Sequence, residues 1–282
     1  MHIVKNKKAF TLIELLVVIA IIALLLAILM PSLQKAKGLA RMVLCLSNHK
    51  NLVTGWKTYA ADNDGNLVNG HISGSINQNQ WVTGPFREAG GNRTPDASKK
   101  EYELNGIRAG ALFPYLKEVD VYHCPADRRA ISGPGQPPSF RSYSITATMN
   151  GEHVNGPGYY RSLGGAKVSV KKETQVSQPD STFVFIDDFD RRGWNMGSWI
   201  FNYDPSNPNN HKIADPISVW HTKKCNFSYA DGHAETYVWK NNDTHKYCVE
   251  RAEGGSTTVP TPTSGNNQDV RYLAQGYKAA QD

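Results

Sequence analysis

The sequence lacks most of the features that mark an enzyme or a disulfide-rich scaffold. Four cysteines in 282 residues are enough for two bridges but too few for a disulfide-dense domain. No G-x-S-x-G, H-E-x-x-H or phosphate-loop motif is present. A single long hydrophobic run excludes a polytopic membrane protein, and a charged fraction of 20% excludes a disordered acidic tail. We expect a protein that is not an enzyme.

The net positive charge outside the N-terminus is small. The net charge is +6, and Lys5, Lys7 and Lys8 account for three of these charges, so +3 remains after residues 1–9. No other cluster of Lys and Arg suggests a groove that follows phosphates. We therefore expect no nucleic-acid partner.

The hydrophobic run extends from Phe10 to Met30, and 19 of its 21 residues are apolar, the exceptions being Thr11 and Glu14. As a helix it would be roughly 31 Å long, enough to cross a bilayer core, whereas the apolar region of a signal peptide has about 7–15 residues. The lysines before the run predict a cytoplasmic N-terminus and an exported remainder. The run predicts a retained transmembrane helix.

Glu14 is the unusual residue of this run. A carboxylate within a span costs roughly 2.5–3.5 kcal/mol, so it indicates function, the alternative being a boundary residue that reaches the membrane surface. The segment from Lys7 to Val18 resembles the processing site of type IV prepilins and type II secretion pseudopilins. The resemblance implies that a prepilin peptidase cuts between Ala9 and Phe10, that the new amine is methylated, and that Glu14 governs assembly. Ala9 stands where that family usually has Gly.

The helix is expected to continue beyond the run. Pro31 removes one hydrogen bond and predicts a kink. A stripe with helical spacing then reaches about Ala61, which predicts a face that packs on a globular head; it consists of Leu39, Met42, Val43, Leu46, Val53, Trp56 and Tyr59. The segment Asp62–Gly65 predicts the helix end, because glycine commonly follows the last turn of a helix. A calcium loop is not expected there, because the glycine comes too early for that motif.

The remaining sequence predicts a head of loops and short elements. Residues 66–100 and 254–269 are rich in Gly, Asn, Ser, Thr or Pro and predict loops or a linker. The other predictions are a short helix at 112–116, extended segments at 119–123 and 142–149, a buried strand at 182–186, and a short helix within 270–282.

The clearest local signal in the head lies in Cys225–Trp239. Asp231 and Gly232 separate two alternating runs, which predicts a β-hairpin with a two-residue turn. His221 adds the spacing H-x9-D-G, which resembles the C-terminal signature of a prepilin-type family. Cys45 and the Cys-Pro-Ala-Asp stretch at 124–127 also fit that family.

Two interpretations of the polar residues around this hairpin are open. A metal site or an acid–base site is one of them, formed by His221, Asp231, His233, Asp187 and Asp188. The other is structural, with Asp231 forming the turn and His221 capping the hairpin. No spacing matches a metal motif, so no cofactor is expected, and a structural cation such as calcium is the alternative.

Disulfides are expected because an exported head lies in an oxidising compartment. The expected pairs are Cys45–Cys124, which rests on the family resemblance, and Cys225–Cys248. Four cysteines allow three connectivities, so the other pairings stay open.

Taken together, these features predict an α+β, pilin-like fold. A long N-terminal helix, kinked at Pro31, carries an exported head with a small antiparallel sheet. The predicted segments are a leader (1–9), a transmembrane helix (10–30), its amphipathic continuation (31–64), the head (65–253), and a flexible linker with a tail (254–282).

The resemblance implies a structural subunit that assembles into a type IV pilus-like filament or a type II secretion pseudopilus. The implied partners are copies of itself or other pilin-like subunits, a prepilin peptidase, an inner-membrane assembly platform and the membrane. The subunit would cross the inner membrane once before assembly and would then form a periplasmic or extracellular filament. The alternatives are an adhesin whose aromatic side chains bind polysaccharide and a membrane-tethered hydrolase.

Overall fold

The structure is a computed structural model that describes residues 11–72, 79–127, 129, 139–152, 168–189, 197–253, 263 and 266–280. The chain divides into two compact units, Met1–Arg41 and Met42–Asp282. The predicted α+β class is confirmed, since a long helix is followed by small antiparallel sheets, short helices and loops. The predicted processing site at Ala9 and Phe10 lies outside the described residues.

Helix α1 extends from Leu12 to Asp62 and continues through Pro31. Pro31 has no N–H, so one hydrogen bond of the helix is missing there, and the kink stays a prediction. The predicted helix end is confirmed. Gly65 has a φ of +76°, and its N–H donates to the carbonyl oxygen of Ala60 at 2.8 Å, which satisfies a carbonyl at the end of the helix.

The face of α1 that packs on the head differs from the predicted stripe. Leu39 and Val43 are 55% and 60% exposed, so their place in the stripe was wrong. The prediction followed large apolar side chains and therefore overlooked four small or polar positions of the buried face. The buried face begins later in the helix and consists of Cys45, His49, Leu52, Val53, Gly55, Trp56 and Ala60.

The head has eight strands and four further helices among the described residues. In chain order they are β1 (Phe86–Ala89), β2 (Asn92–Pro95), α2 (Lys100–Arg108), α3 (Phe113–Leu116), β3 (Tyr143–Ile145), β4 (Phe183–Asp187), β5 (Phe201–Asn202), β6 (Lys212–Ile213), β7 (Lys224–Tyr229), β8 (Ala234–Val238), α4 (Asn242–Glu253) and α5 (Gln268–Tyr277).

The central sheet is antiparallel and has the strand order β3–β4–β7–β8. The predicted strand at 182–186 is confirmed as β4, in which every residue is buried. Phe185 belongs to a hydrophobic cluster that includes Trp56 of α1, whereas Phe183 belongs to a second cluster that includes Leu273 of α5. The sheet therefore separates two cores, one under α1 and one under α5.

Three segments differ from their predictions. The stretch 66–100, predicted as loop, contains the hairpin β1–β2, whose side chains are exposed apart from Phe86. Such strands show no apolar alternation, so the sequence gives no signal for them. Val119–Tyr122, predicted as extended, forms a short 3-10 helix, and the extended segment at 142–149 is reduced to β3.

The predicted hairpin around Gly232 is confirmed as β7–β8, although its loop is longer than two residues. The N–H of Tyr229 donates to the carbonyl oxygen of His233, and the N–H of Gly232 donates to the carbonyl oxygen of Tyr229, both at 2.9 Å. Three residues therefore connect the strands. Gly232 has a φ of +101°, a backbone conformation that favours glycine.

Gly276 allows α5 to approach the sheet closely. A Cβ atom at this position would overlap with the ring of Phe183. That ring has no room to move, because it is fully buried and its centroid lies 4.5 Å from that of Phe227 and 5.3 Å from that of Tyr272.

We predict that Gly276→Ala lowers the free energy of unfolding by about 1–3 kcal/mol, because the added methyl group overpacks this core. The control is Gln275→Ala at the exposed neighbouring position of α5, which should change stability by less than about 0.5 kcal/mol. Urea unfolding of the full-length chain in detergent, followed by tryptophan fluorescence, measures both. Equal unfolding midpoints for the two variants would contradict this packing.

Candidate functional site

Thr11 and Glu14 close the first turn of α1. The N–H of Glu14 donates to Thr11 Oγ1 at 3.3 Å, and Glu14 Oε2 accepts from both the N–H and the hydroxyl of Thr11 at 2.8 Å. This reciprocal arrangement is a capping box, which satisfies donors that have no acceptor at the start of a helix. Glu14 therefore has a local structural role that the sequence interpretation did not include.

The N-terminal part of α1 exposes its apolar side chains. The large apolar side chains from Leu12 to Met30 are between 45% and 86% exposed. The helix is long and apolar enough to cross a membrane. An exposed apolar surface of this extent indicates contact with lipid or with other protein chains.

A second candidate site surrounds Asp187, at the end of β4 inside the head. Asp187 is fully buried, and its Oδ1 atom lies 2.9 Å from His49 Nε2 and 3.3 Å from Cys45 Sγ. Its Oδ2 atom accepts from the N–H of Asn226 on β7 at 2.8 Å. Cys45 and His49 are four residues apart on α1, so both face the sheet. We call Cys45, His49, Cys124, Asp187 and His221 the thiol cluster.

Electrostatics favours the charged form of Asp187. Burial by itself would raise the pKa of its carboxyl group, but the attraction and the hydrogen bond of His49 hold that pKa below its ordinary value. The carboxylate thus joins α1 to the central sheet through a buried contact with His49.

Cys124 and His221 complete the thiol cluster. Cys124 Sγ lies 3.3 Å from His221 Nε2, and the ligand atoms of Cys45, Cys124 and His221 all lie within 4.8 Å of one another. The hydroxyl of Tyr143 donates to Cys45 Sγ at 3.3 Å. Two thiols, two imidazoles and a carboxylate therefore meet in the core.

The loop that carries Cys124 is held by its own network. The N–H of Cys124 donates to Ser142 Oγ at 2.9 Å, and the hydroxyl of Ser142 donates to Asp127 Oδ2 at 2.7 Å. Arg129 pairs with the same carboxylate at 2.8 Å. Burial opposes ionisation of Cys124, but hydrogen bonds from Cys45 and His221 lower its pKa to about 7.

The structure divides the predicted His/Asp set between two places. Asp231 pairs with His233 at 2.7 Å in the exposed hairpin turn, after β7 ends, whereas His221 precedes β7 and contacts Cys124. Asp188 accepts a hydrogen bond from the hydroxyl of Ser144 at 2.6 Å. Among the described residues, both groups of metal-ligating side chains contain Cys45, and neither includes Asp188, Asp231 or His233.

The four cysteines are buried free thiols in the structure. Cys45 and Cys124, the first predicted pair, are neighbours in the thiol cluster. Cys225 and Cys248, the second predicted pair, share the hydrophobic cluster under α5. Both disulfides stay predictions.

Comparison with known families supports the interpretation of the N-terminus. Residues 4–30 match the family model described as the prokaryotic N-terminal methylation motif. The motif supports a type IV pilin-like protein, a substrate of prepilin peptidase that is anchored in the membrane before assembly. The H-x9-D-G region of the head lies outside this match. No curated protein and no solved structure matched the chain.

The two Asp–His pairs of the head give a matched test of the thiol cluster. We predict that Asp187→Asn lowers the free energy of unfolding by roughly 3–5 kcal/mol. The amide removes the negative charge, and its NH2 group would face His49 or the N–H of Asn226 in place of an accepting oxygen. Asp231→Asn should cost less than about 1 kcal/mol, because its pair with His233 is exposed. Denaturant unfolding of the full-length chain measures both, and similar losses would show that the buried pair is not special.

Proposed function

We propose that the chain is a structural subunit of a type IV pilus-like filament or a type II secretion pseudopilus. It would be cleaved before Phe10, methylated on the new amine, and inserted in the inner membrane with its head exported. The observation that carries this proposal is the continuity of the methylation motif with an exposed apolar helix.

The energetics of that helix favour a place in lipid or in a filament over contact with water. Burying one Leu or Ile side chain contributes roughly 1.5–3 kcal/mol, and α1 exposes twelve such side chains before Pro31. In the membrane they contact lipid. In a filament they would pack against the same helix of neighbouring subunits, so one surface serves both states.

The alternatives receive less support from the head. An adhesin that stacks sugars needs exposed aromatic rings, but of the tryptophans in the described part of the chain Trp56, Trp81, Trp199 and Trp239 are buried and Trp220 is half-buried. A hydrolase needs convergent polar groups in a pocket, whereas the predicted set is divided between the thiol cluster and the hairpin turn. The filament subunit therefore remains the preferred function.

The first test concerns processing. We predict that the chain recovered from the cell envelope begins at Phe10 and carries an N-methyl group, as read by intact mass and N-terminal sequencing. Ala9→Gly should be processed at least as completely, since small residues fit before the cut, and Ala9→Glu should retain the leader. His2→Ala, which changes the leader away from the cut, serves as the control. An intact leader on the wild-type chain would refute the proposal.

The second test concerns assembly through Glu14. In a filament, the carboxylate of Glu14 would pair with the Phe10 amine of a neighbouring subunit, and removing one partner of a buried pair costs roughly 3–5 kcal/mol. We predict that Glu14→Ala abolishes most filament incorporation while the head stays folded and the chain stays in the membrane. Glu14→Gln should show a milder defect.

Thr11→Ala separates the two roles of Glu14. This variant removes the capping hydroxyl, which typically stabilises a helix by about 0.5–2 kcal/mol, but it keeps the carboxylate. Filament yield, measured by shearing and immunoblotting with an antibody against the head, should stay near wild type. Equal defects in Thr11→Ala and Glu14→Ala would assign Glu14 to helix capping alone.

A further inference from the structure

Hydrophobic packing does not explain the composition of the thiol cluster. Cys45, Cys124 and His221 come from α1, from the loop before β3 and from the loop before β7, yet their ligand atoms converge within 4.8 Å. The two cysteines are fully buried and His221 is 9% exposed. Sulfur is a weak hydrogen-bonding partner, so the contacts that the two thiols make with His221 and Asp187 are weak as hydrogen bonds.

The residue beside them is also incompletely satisfied. His49 is fully buried, and its Nδ1 atom has no hydrogen-bond partner within the described part of the chain. Its Nε2 atom is committed to Asp187. A hydrogen-bonded core histidine would normally use both nitrogens.

We propose that Cys45, Cys124 and His221 bind a zinc ion, with Asp187 as the fourth ligand. The site is structural: it would join α1, the loop that carries Cys124, the end of β4 and the segment before β7. This inference is independent of filament assembly.

The donor set favours zinc over the calcium that the sequence alone suggested. Zinc is bound in closed structural sites by four ligands drawn mainly from thiolates and imidazoles. Calcium takes about 6–8 oxygen ligands, whereas the thiol cluster offers one carboxylate.

Two of the contacts between the ligand atoms come close to the spacing of a tetrahedral zinc site. Zn–S bonds of about 2.3 Å and Zn–N bonds of about 2.0 Å separate ligand atoms by roughly 3.5–3.8 Å. Cys124 Sγ and His221 Nε2 are 3.3 Å apart, as are Cys45 Sγ and Asp187 Oδ1. Shifts of a few tenths of an ångström would bring these two pairs to that separation, whereas Asp187, which does not lie within 4.8 Å of all three other ligands, would have to move further towards Cys124 and His221.

The charges and the outer partners are also in place. Cys45 and Cys124 would bind as thiolates and release their two protons to solvent. With the carboxylate of Asp187 the ligands would carry three negative charges against the two positive charges of Zn²⁺, and the carboxylate that carries the remaining negative charge is hydrogen-bonded to His49. His49 and the N–H of Asn226 hold the two oxygens of Asp187 and fix its orientation, as outer partners of metal ligands commonly do.

The test measures metal in the full-length chain, purified from membranes in detergent. Elemental analysis should find about one zinc per chain. Cys45→Ser and Cys124→Ser should each lower the zinc content more than tenfold, while Cys248→Ser, which alters an equally buried thiol outside the cluster, should keep it. Near-ultraviolet circular dichroism checks that each variant is folded. Glu14→Ala should keep its zinc, so a failure of assembly and a failure of this site are distinguishable.

A second pair of variants covers the case in which the serine variants do not fold. His221→Cys should retain a metal because cysteine is also a zinc ligand, and its cobalt-substituted form should show stronger thiolate-to-cobalt charge transfer than wild type. His221→Ala should lose the metal.

Three results would overturn the proposal. The first is a Cys45–Cys124 disulfide in peptide maps of the envelope protein, because sulfur atoms joined in a disulfide cannot bind zinc as thiolates. The second is a reduced, folded wild-type chain that gives no tetrahedral thiolate spectrum when titrated with Co²⁺. The third is equal zinc content in Cys45→Ser and Cys248→Ser, which would mean adventitious metal only.

Discussion

The fully buried carboxylate of Asp187 constrains the architecture of the head. A charge in this position is tolerated only with partners at fixed distances, since an unpaired one would cost several kcal/mol. Its partners are His49 on α1 and the backbone N–H of Asn226 on β7, while Asp187 itself ends β4. Three elements that meet at one carboxylate have a defined mutual register, which apolar contacts alone would specify less strictly.

Helix α1 has to satisfy two different environments along one continuous element. Before Pro31 its large apolar side chains are exposed on every side, as in helices that contact lipid or other helices. From Cys45 onwards only one face is buried, and polar contacts accompany it: Asn48 donates to the carbonyl oxygen of His123 at 2.9 Å, and Lys57 pairs with Glu173. The change of pattern within one helix separates the part that would contact neighbours from the part that carries the head.

The sequence predicted those features whose signal is local. The run from Phe10 to Met30, the helix end at Gly65, the strand at 182–186 and the hairpin around Gly232 each follow from neighbouring residues, and the structure bears out the last three. The predicted length of the hairpin loop was wrong, because Asp-Gly occurs in loops of three residues as well as two.

The thiol cluster was not predictable as a whole, because its members are far apart in sequence. Cys45 and Asp187 are separated by 142 residues and Cys124 and His221 by 97. The i, i+4 spacing of Cys45 and His49 on a helix was the available signal, and a search for large apolar residues passes over it. The sequence pattern grouped Asp187 with His221, Asp231 and His233, but β7 separates the turn at Asp231 from His221.

The capping box at the start of α1 gives the carboxylate of Glu14 hydrogen-bond partners within an apolar helix before a filament forms. In the single chain, Glu14 accepts two hydrogen bonds from Thr11, so it is not left without partners. Pairing with the amine of a neighbouring subunit would have to replace this capping interaction, which is worth about 0.5–2 kcal/mol. The Thr11–Glu14 bond would thus lower the cost of membrane insertion without preventing Glu14 from later pairing with the amine of a neighbouring subunit. This role gives a reason for threonine at position 11, which the apolar pattern of the helix does not explain.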